Sequence, residues 1–481
     1  MSYKVNLDKE ASELTQDAFD AEDPKWEKDV SGRRAMILAI FAAITFSIGT
    51  DFSSNSLNSL ERELTEHLGL TPKQFGAAQA TTQLVATWMS LVGGAVLDRF
   101  GTAPTAMASS FVVLVGSILV AISTHIYSFR LLLVGRLLNG MTSGVLLAAQ
   151  GTILAHTFSG TFISTAVGVQ LASSKLAAFL AQGTMASVAK AGFYGNGFWL
   201  AAGLCLFSFL STCFYAVAST APVPTRQPLN LRRILLLPTG FWIVPFSVLV
   251  MGGIAKSFPG DLPSLLGSRF GMEDEDAAWV SAFSLAIPIF ASPFLGGFID
   301  RVGMRSHGLI LSAILYIVSF LLLHLTKSSP FLSLTFFSLA STHSLIVLNS
   351  SISLVLPPEL VGLGMGVRQV TYVLGSALIY LITGQVKQGS SSYGMMRVYI
   401  IAACLSFVLS LVYLLYSKRI FNILDVPAKH RPLLNELHRF QLPALKSIAD
   451  LDSTQLAHKL FASFLLALIV ATWALFIVSL F

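Results

Sequence analysis

An eight-residue motif that occurs twice, each time at the end of a long apolar run, constrains this chain more than any other feature. The motif reads Gly-x-x-x-Asp-Arg-x-Gly, and its two copies begin at Gly94 and Gly296. Glycines let two helices approach closely, while the Asp and the Arg can cap helix ends and pair across a short loop. A motif repeated at nearly half the chain length indicates an internally duplicated membrane protein, a pattern typical of transporters.

The composition places the chain in a lipid bilayer. Of its 481 residues, 54% are hydrophobic and only 12% are charged, which is too much apolar surface for one soluble core. Twelve apolar runs are long enough to span a membrane, and they form two sets of six. The first set lies near residues 34–51, 74–97, 103–123, 129–155, 162–189 and 197–219, and the second near 238–259, 277–299, 306–326, 330–355, 361–385 and 393–416.

The loops between these runs predict the topology and the domain boundaries. Residues 220–237 are rich in proline and arginine, a composition that breaks helices and keeps a loop in the cytosol. They separate an amino-terminal bundle (33–219) from a carboxyl-terminal bundle (238–416). Arginines and lysines at the ends of other predicted spans lie on the same side of the membrane as this linker. We therefore expect a cytosolic amino terminus. Residues 1–32 are expected to form an acidic cytosolic tail and contain no cleavable signal peptide.

The carboxyl-terminal region adds a further predicted helix. A charged, proline-punctuated segment (417–455) leads into residues 456–481, whose apolar part is about one bilayer thickness long. An interfacial helix is the alternative, but the residues from Phe461 onward have no charge and no polar face. The fold class predicted is an all-α membrane protein of two six-helix bundles with a thirteenth carboxyl-terminal transmembrane helix.

The paired motifs resemble the loop motif of the major facilitator superfamily, which follows the second and eighth helices of that fold. The second copy is complete, with Arg305 at the expected basic position, whereas the first has Thr102-Ala103-Pro104 there. This resemblance implies alternating access, in which the two bundles rock about a cavity at the middle of the membrane. The motif residues would then control the equilibrium between the inward-facing and outward-facing states.

Further segments resemble one subfamily, the lysosomal dipeptide uniporters, across roughly residues 34–416. The fourth predicted span carries Gly135-Arg136-Leu137-Leu138-Asn139-Gly140 and Ala149-Gln150, and the fifth carries Gly168-Val169-Gln170-Leu171-Ala172 and Lys175. The resemblance implies a vacuolar or lysosomal membrane, a small carboxylate-bearing substrate such as a dipeptide or an amino acid, and a single-pass accessory membrane protein as a partner. In that subfamily a glutamate that holds the substrate amine stands at the position of Gly144, so this chain departs from the pattern there.

Charged side chains within the predicted spans are the candidate site residues. An ionised group near the middle of a bilayer costs several kcal/mol unless it is paired or hydrated. Lys175 lies about a dozen residues from either end of its run, too far to reach the surface, and Arg368 lies between Gly366 and Gln369. Neutral amides supply further hydrogen bonds. The predicted substrate-binding residues are Lys175, Arg368, Gln170, Asn139, Gln150 and Gln369.

Several polar residues leave two interpretations open. Asp51 either closes the first helix as a cap or anchors a substrate amine, and His343 either carries a proton or is a hydrogen-bonded packing residue. Lys256 and Asp261 lie where Pro259 and Gly260 predict the end of the seventh helix and an external gate. Arg136 either serves structure or gating near the end of its helix or binds the substrate. The predicted gating residues are Asp98, Arg99, Asp300, Arg301, Arg305 and Arg136.

The sequence contains no pattern that predicts catalysis. A glycine-rich nucleotide loop followed by Lys-Ser or Lys-Thr is missing, and Ser, His and Asp occur only as unrelated singles. The three cysteines have no ligand spacing, so we expect no metal and no cofactor. The charge of +6 forms no basic stripe, which argues against a nucleic-acid partner. The alternatives to a facilitative or secondary active transporter are a proton-coupled organic-anion carrier and a non-transporting receptor or scaffold with the same fold.

Overall fold

The computed structural model describes residues 30–56, 102–158, 162–190, 192–218, 239–272, 274–325, 329–356, 360–389, 392–419 and 423–430, with isolated positions at 82–101, 237, 463, 467 and 470. Every regular element in these ranges is helical. The predicted acidic tail (1–32), the linker (220–237) and the thirteenth helix (456–481) lie outside them almost entirely. Within that last segment, positions 463, 467 and 470 are helical and exposed. The predicted domain boundaries stay predictions.

The amino-terminal half forms one bundle, in which α1 packs against α3, α4 and α5, and α2 packs against α3 and α5. The described positions between Thr82 and Phe100 are helical, where the second span was predicted. Gly101 has φ = 89° just before α2, a left-handed conformation that glycine adopts without strain. The helices are α1 (Val30–Ser56), α2 (Thr102–Ile126), α3 (Phe129–Phe158), α4 (Ile163–Lys190) and α5 (Asn196–Ala218).

The carboxyl-terminal half forms the second bundle, in which α9 packs against α10 and α12, α8 against α10, and α7 against α11. A π-helix (Val248–Gly252) joins α6 to α7, so the seventh span is one continuous rod with a wider turn. The helices are α6 (Ile243–Ser247), α7 (Gly253–Phe270), α8 (Asp274–Val302), α9 (Arg305–Leu325), α10 (Phe331–Val355), α11 (Val361–Gly389) and α12 (Ser392–Arg419). Short 3-10 turns at Ile423–Asp425 and Ala428–His430 follow α12.

The predicted end of the seventh helix at Pro259 and Gly260 is wrong, because α7 continues to Phe270. Leu262, Leu265 and Leu266 in this continuation are almost completely buried. The free energy gained by burying these three leucines exceeds the cost of the backbone hydrogen bond that is lost at the proline.

Ten helices in the described ranges are long and apolar enough to cross a membrane, so the chain is a multi-pass membrane protein. They correspond to the predicted spans other than the second and the eleventh. The second is described only at isolated positions. The eleventh is present as α11, which carries Arg368 and Gln369 within its apolar sequence.

The two bundles meet most closely at the end of the molecule that contains Gly101 and Gly303, which we call the motif end. Between α4 and α8 the backbones nearly touch: a Cβ added to Gly168 would lie 2.3 Å from the Ser292 carbonyl oxygen. A single apolar core joins both bundles here, and it includes Phe46 and Ile153 together with Met365. Apolar residues farther from this end, such as Phe52 and Ala181, belong to a separate core of the first bundle.

Candidate functional site

Asp51 and Lys175 lie together within the amino-terminal bundle, on α1 and α4. The Asp51 carboxylate has the hydroxyl of Ser174 within hydrogen-bonding reach and interacts electrostatically with Lys175 and Lys256. Its buried Oδ2 accepts no hydrogen bond from the part of the chain that the structure describes. Helix α1 continues to Ser56, so Asp51 does not close that helix as a cap. The carboxylate is therefore placed to receive a cationic group.

Three polar side chains of α7 and α11 face the same region from the carboxyl-terminal bundle. Lys256 interacts electrostatically with Asp51, Lys175 and Arg368. The Nζ of Lys256 lies 5.3 Å from the centre of the Tyr372 ring, and the Cζ of Arg368 lies 5.2 Å from it. Arg368 also donates from Nη1 to Oε1 of the buried Gln369 (2.9 Å). The structure thus brings Asp51 and Lys175 of one bundle together with Lys256 and Arg368 of the other, and we call these four residues the charged cluster.

Gln150 and Gln170 form a chain of hydrogen bonds inside the amino-terminal bundle. The Nε2 of Gln170 donates to Oε1 of Gln150 (2.9 Å). Gln150 in turn donates to the Ala43 carbonyl (3.0 Å) and to the Ser47 hydroxyl (3.1 Å). These bonds connect α1, α3 and α4, so both amides fix the helices that carry Asp51 and Lys175. Their direct contact with a substrate stays a prediction.

Asn139 and Arg136 lie between helices of the amino-terminal bundle. Asn139 donates weakly to the Ser53 hydroxyl (3.5 Å), and a Cβ on Gly116 would lie 2.4 Å from its Oδ1. Arg136 is buried and donates from Nη1 to the Ser53 carbonyl (3.4 Å). Both side chains connect α3 to α1, so this geometry favours a structural role over a place in the charged cluster.

His343 lies between α9 and α10. Its Nδ1 shares a hydrogen bond with the Ser312 hydroxyl (2.9 Å), and a Cβ on Gly308 would lie 2.3 Å from its Cε1. Of the two interpretations of His343, the geometry favours the hydrogen-bonded packing residue.

Gly144 marks the departure from the resembled subfamily, and the structure gives a steric reason for it. A Cβ at Gly144 would lie 2.0 Å from the Ser90 hydroxyl and 2.9 Å from the Ala86 carbonyl oxygen. In this arrangement α3 packs so closely on the segment holding Ser90 that a methyl group does not fit. The glutamate of the resembled subfamily therefore has no space at this position.

Asp300 connects the two bundles at the motif end by capping the start of α4. Its carboxylate accepts hydrogen bonds from the backbone N–H groups of Ser164 (3.2 Å) and Thr165 (2.7 Å) and from the Thr165 hydroxyl (2.8 Å). Carboxylates at helix starts are stabilised by the unpaired N–H groups and the helix dipole. The fully buried Arg305 pairs with Asp300 (3.2 Å) and donates to the Ser164 hydroxyl (2.6 Å) and the Leu424 carbonyl (3.2 Å).

Asp425, in the turn that follows α12, caps α9 in the same manner. Its Oδ1 accepts from the Ser306 backbone N–H (2.7 Å), and its Oδ2 accepts from the hydroxyls of Ser306 and Ser417. The Met304 N–H donates to the Asp425 carbonyl (3.1 Å). That carbonyl lies so close to Gly303, at φ = 75°, that a Cβ there would be 2.1 Å away. We call Ser164, Thr165, Asp300, Arg305 and Asp425 the motif-end gate.

The remaining predicted gating residues lie outside these contacts. Arg301 is exposed, so the cation that pairs with Asp300 is Arg305 and not its neighbour in sequence. In the first motif copy, Asp98 lies outside the described residues. Arg99 is exposed and lies over the ring of Phe100 (5.2 Å).

The sequence pattern does not predict three participants, which are Lys256 and Tyr372 at the charged cluster and Asp425 at the gate. The end predicted for the seventh helix places Lys256 at an external gate instead. Tyr372 follows Arg368 by one helical turn. That spacing places both on one face of α11 and was a usable signal. Asp425 gave no such signal, because its partners on α9 lie more than a hundred residues earlier in the chain.

The sequence profile of the Major Facilitator Superfamily matches residues 36–273 and 244–481. The lysosomal dipeptide transporter MFSD1 of Danio rerio is 24% identical over 400 residues, which cover 79% of this chain and 86% of that protein. The Homo sapiens MFSD1 is 22% identical over 403 residues, covering 80% and 86% of the two chains. The crystal structure of the human organic anion transporter MFSD10 (TETRAN) has a TM-score of 0.63 at 15% identity, covering 79% of this chain and 99% of that one.

The two helical bundles of the structure agree with these similarities. The chain therefore belongs to the Major Facilitator Superfamily and is a membrane transporter.

Proposed function

We propose that this chain carries a small zwitterionic metabolite with a carboxylate, such as a dipeptide or an amino acid, by alternating access. The observation that carries the proposal is the charged cluster, in which Asp51 and Lys175 of one bundle face Lys256 and Arg368 of the other. Isolated charges in a membrane interior are costly, and a cluster with both signs suits a ligand that also has both.

Each charged residue has a distinct role in this proposal. Lys175 and Arg368 hold the substrate carboxylate, and the buried Nε of Arg368 has no hydrogen-bond partner within the described residues. Asp51 holds the substrate amine through Oδ2, which likewise lacks a partner in the described part of the chain. Asp51 thereby replaces the fourth-helix glutamate for which Gly144 leaves no space. Lys175 offers a point charge without the planar fork of arginine, so carboxylate geometry is less strictly selected on that side.

The gate supplies the second element of alternating access. Asp300 and Arg305 join the bundles at the motif end, and these contacts support our interpretation that the transporter is closed at that end. Opening requires the Asp300 carboxylate to leave the start of α4. The charged cluster then becomes accessible from the motif end.

We further propose that the motif end faces the cytosol and that the membrane is vacuolar or lysosomal. The positive-inside tendency of the linker supports the orientation, and the lysosomal relatives support the location. The chain works without catalytic chemistry, and a single-pass membrane protein is its accessory partner. Protease protection of epitopes in intact organelles tests the orientation.

A proton-coupled organic-anion carrier is the second candidate, because cations outnumber carboxylates in the described cluster: Lys175, Lys256 and Arg368 stand against Asp51. The two candidates differ in their need for a substrate amine. Uptake of a dipeptide and of its N-acetylated analogue, each measured with and without a pH gradient, separates them. Equal uptake of both compounds, stimulated by the gradient, favours the organic-anion carrier.

The decisive experiment measures uptake of the same dipeptide into proteoliposomes that contain purified wild type, Lys175→Ala or Asp51→Asn. Lys418→Ala is the matched control, because Lys418 is exposed. We expect both cluster variants to lose uptake while keeping a melting temperature near that of wild type, and the control to transport normally. Lys175→Arg restores uptake, because the guanidinium also holds a carboxylate. Normal uptake by Lys175→Ala in folded protein refutes the assignment.

A further inference from the structure

The charged cluster contains one cation, Lys256, to which the proposed function assigns no role. Lys256 and Arg368 come from different helices, yet both lie against the ring of Tyr372, at 5.3 and 5.2 Å from its centre. Their mutual interaction is repulsive. An aromatic face attracts cations through its quadrupole, so the ring of Tyr372 positions both groups.

The packing of α7 on α11 is built to bring these side chains together. A Cβ on Gly252 would lie 2.6 Å from Cδ2 of Tyr372, so only glycine leaves space for the ring there. The next residue, Gly253, packs against Gly375 so closely that a Cβ would lie 2.8 Å from the Gly375 carbonyl carbon. Lys256 follows Gly252 by one helical turn and so lies on the same face of α7. The π-helix at Val248–Gly252 determines which face that is, and π-helices frequently mark functional sites.

From these positions we propose that Lys256, Arg368 and Tyr372 form a second carboxylate subsite, and that the preferred substrate is an amino dicarboxylate. This inference rests on the proposed function and specifies its substrate class. The substrate amine lies on Asp51 and its first carboxylate on Lys175, both in the amino-terminal bundle. The second carboxylate lies between Lys256 and Arg368 in the carboxyl-terminal bundle. With such a substrate Lys175 alone holds the first carboxylate, and Arg368 binds the second one instead.

The orphaned polar atoms support this arrangement. Asp51 Oδ2 and Arg368 Nε are both buried and have no hydrogen-bond partner within the described residues. One is an acceptor in the first bundle and the other is a donor in the second. A ligand that carries an amine and two carboxylates satisfies both atoms and connects the bundles. Tyr372 is a positioning residue, because it holds the two cations through its ring.

The chemistry fits two sources, a free acidic amino acid and a short peptide with an acidic side chain. The test therefore uses two matched pairs of probes, glutamate against glutamine and alanyl-glutamate against alanyl-glutamine. Within each pair the ligands differ only in a carboxylate and its neutral amide. Binding to purified wild type is measured by calorimetry. The pair that shows the larger preference for the acid identifies the source.

We expect wild type to bind the acid of at least one pair about tenfold more tightly than the amide, the size of one charge-assisted hydrogen bond. Lys256→Gln should reduce that ratio to about one while it still binds the amide. Lys256→Arg and Tyr372→Phe should keep the preference, since charge and ring remain, whereas Tyr372→Leu should weaken it. Lys418→Gln is the control for the loss of a lysine far from the cluster.

Two results overturn the inference. One is equal affinity of wild type for acid and amide in both pairs, and the other is an unchanged ratio in folded Lys256→Gln. Failure of the proposed function looks different, because wild type would then bind none of the four zwitterions, or Lys175→Ala would bind them as wild type does. Retained amide binding by Lys256→Gln also shows that this variant is folded.

Discussion

The hydroxyl of Thr165 offers a direct measure of what the gate contributes to the conformational equilibrium. It donates to Asp300 across the two bundles at 2.8 Å, and the opening that we propose for the motif end would break this bond. Thr165→Val removes the hydroxyl and keeps the side-chain shape. The backbone N–H groups of Ser164 and Thr165 still bind the carboxylate, so Asp300 is not left unsatisfied.

The size of the effect of Thr165→Val follows from the hydrogen bonds that Asp300 keeps. A hydrogen bond to a charged group contributes about 1.5–3 kcal/mol relative to water, and the lower value applies where other donors persist. In the open state the threonine hydroxyl binds water. The substitution therefore removes stabilisation from the closed state only, and the entire change in free energy favours opening. About 1.5 kcal/mol corresponds to a roughly tenfold shift of the population towards the state open at the motif end.

Distances between spin labels measure this shift. The label sites are Met107 on α2 and His307 on α9, both exposed near the motif end, and each is replaced by cysteine. The native Cys213 and Cys404 are replaced by serine, while the buried Cys205 is kept. We expect Thr165→Val to increase the long-distance population about tenfold relative to the short one in the absence of ligand.

Thr212→Val is the matched control, because the buried Thr212 hydroxyl bonds within its own helix to Ser208 (2.7 Å). This variant should leave the distance distribution of wild type unchanged. Our account of the gate is refuted if Thr165→Val also leaves the distribution unchanged. It is equally refuted if Thr212→Val produces the same shift.

Three further predictions concern the gate and the carboxyl terminus. Asp300→Asn should change the transport rate by more than it changes equilibrium binding, because Asp300 is remote from the charged cluster; turnover and calorimetry compared on one preparation decide this, and weakened binding at normal turnover contradicts it. Asp425→Ala should lower the melting temperature, because the start of α9 loses its cap at a cost of about 1–2 kcal/mol; a melting temperature equal to that of wild type contradicts this. Truncation from about Ser453 should leave substrate binding intact and alter stability, location or partner association, and loss of affinity in a folded truncation places the last helix in the transport machinery.

The sequence by itself determined the architecture that repeats along the chain. Apolar run lengths predicted the spans, and the ten apolar helices of the described ranges agree with that prediction. The paired Gly-x-x-x-Asp-Arg-x-Gly motifs, together with the segments around Arg136 and Lys175, predicted the superfamily. Lys175 and Arg368 were identifiable because an ionised residue within an apolar run is costly and therefore conspicuous. Each single signal is local and can be read from about twenty consecutive residues, and only the pairing of the two motifs requires the whole sequence.

The tertiary structure alone decided which distant residues meet. The rotation of α7 that directs Lys256 towards Asp51 and Tyr372 depends on the π-helix before it, which hydrophobic periodicity does not indicate. Arg305, and not the adjacent Arg301, pairs with Asp300, because burial selects among neighbouring cations. Asp425 caps α9 from beyond α12, and Gly144 leaves no space for a side chain beside Ser90. Such contacts arise from packing between segments far apart in the chain, so no local pattern specifies them.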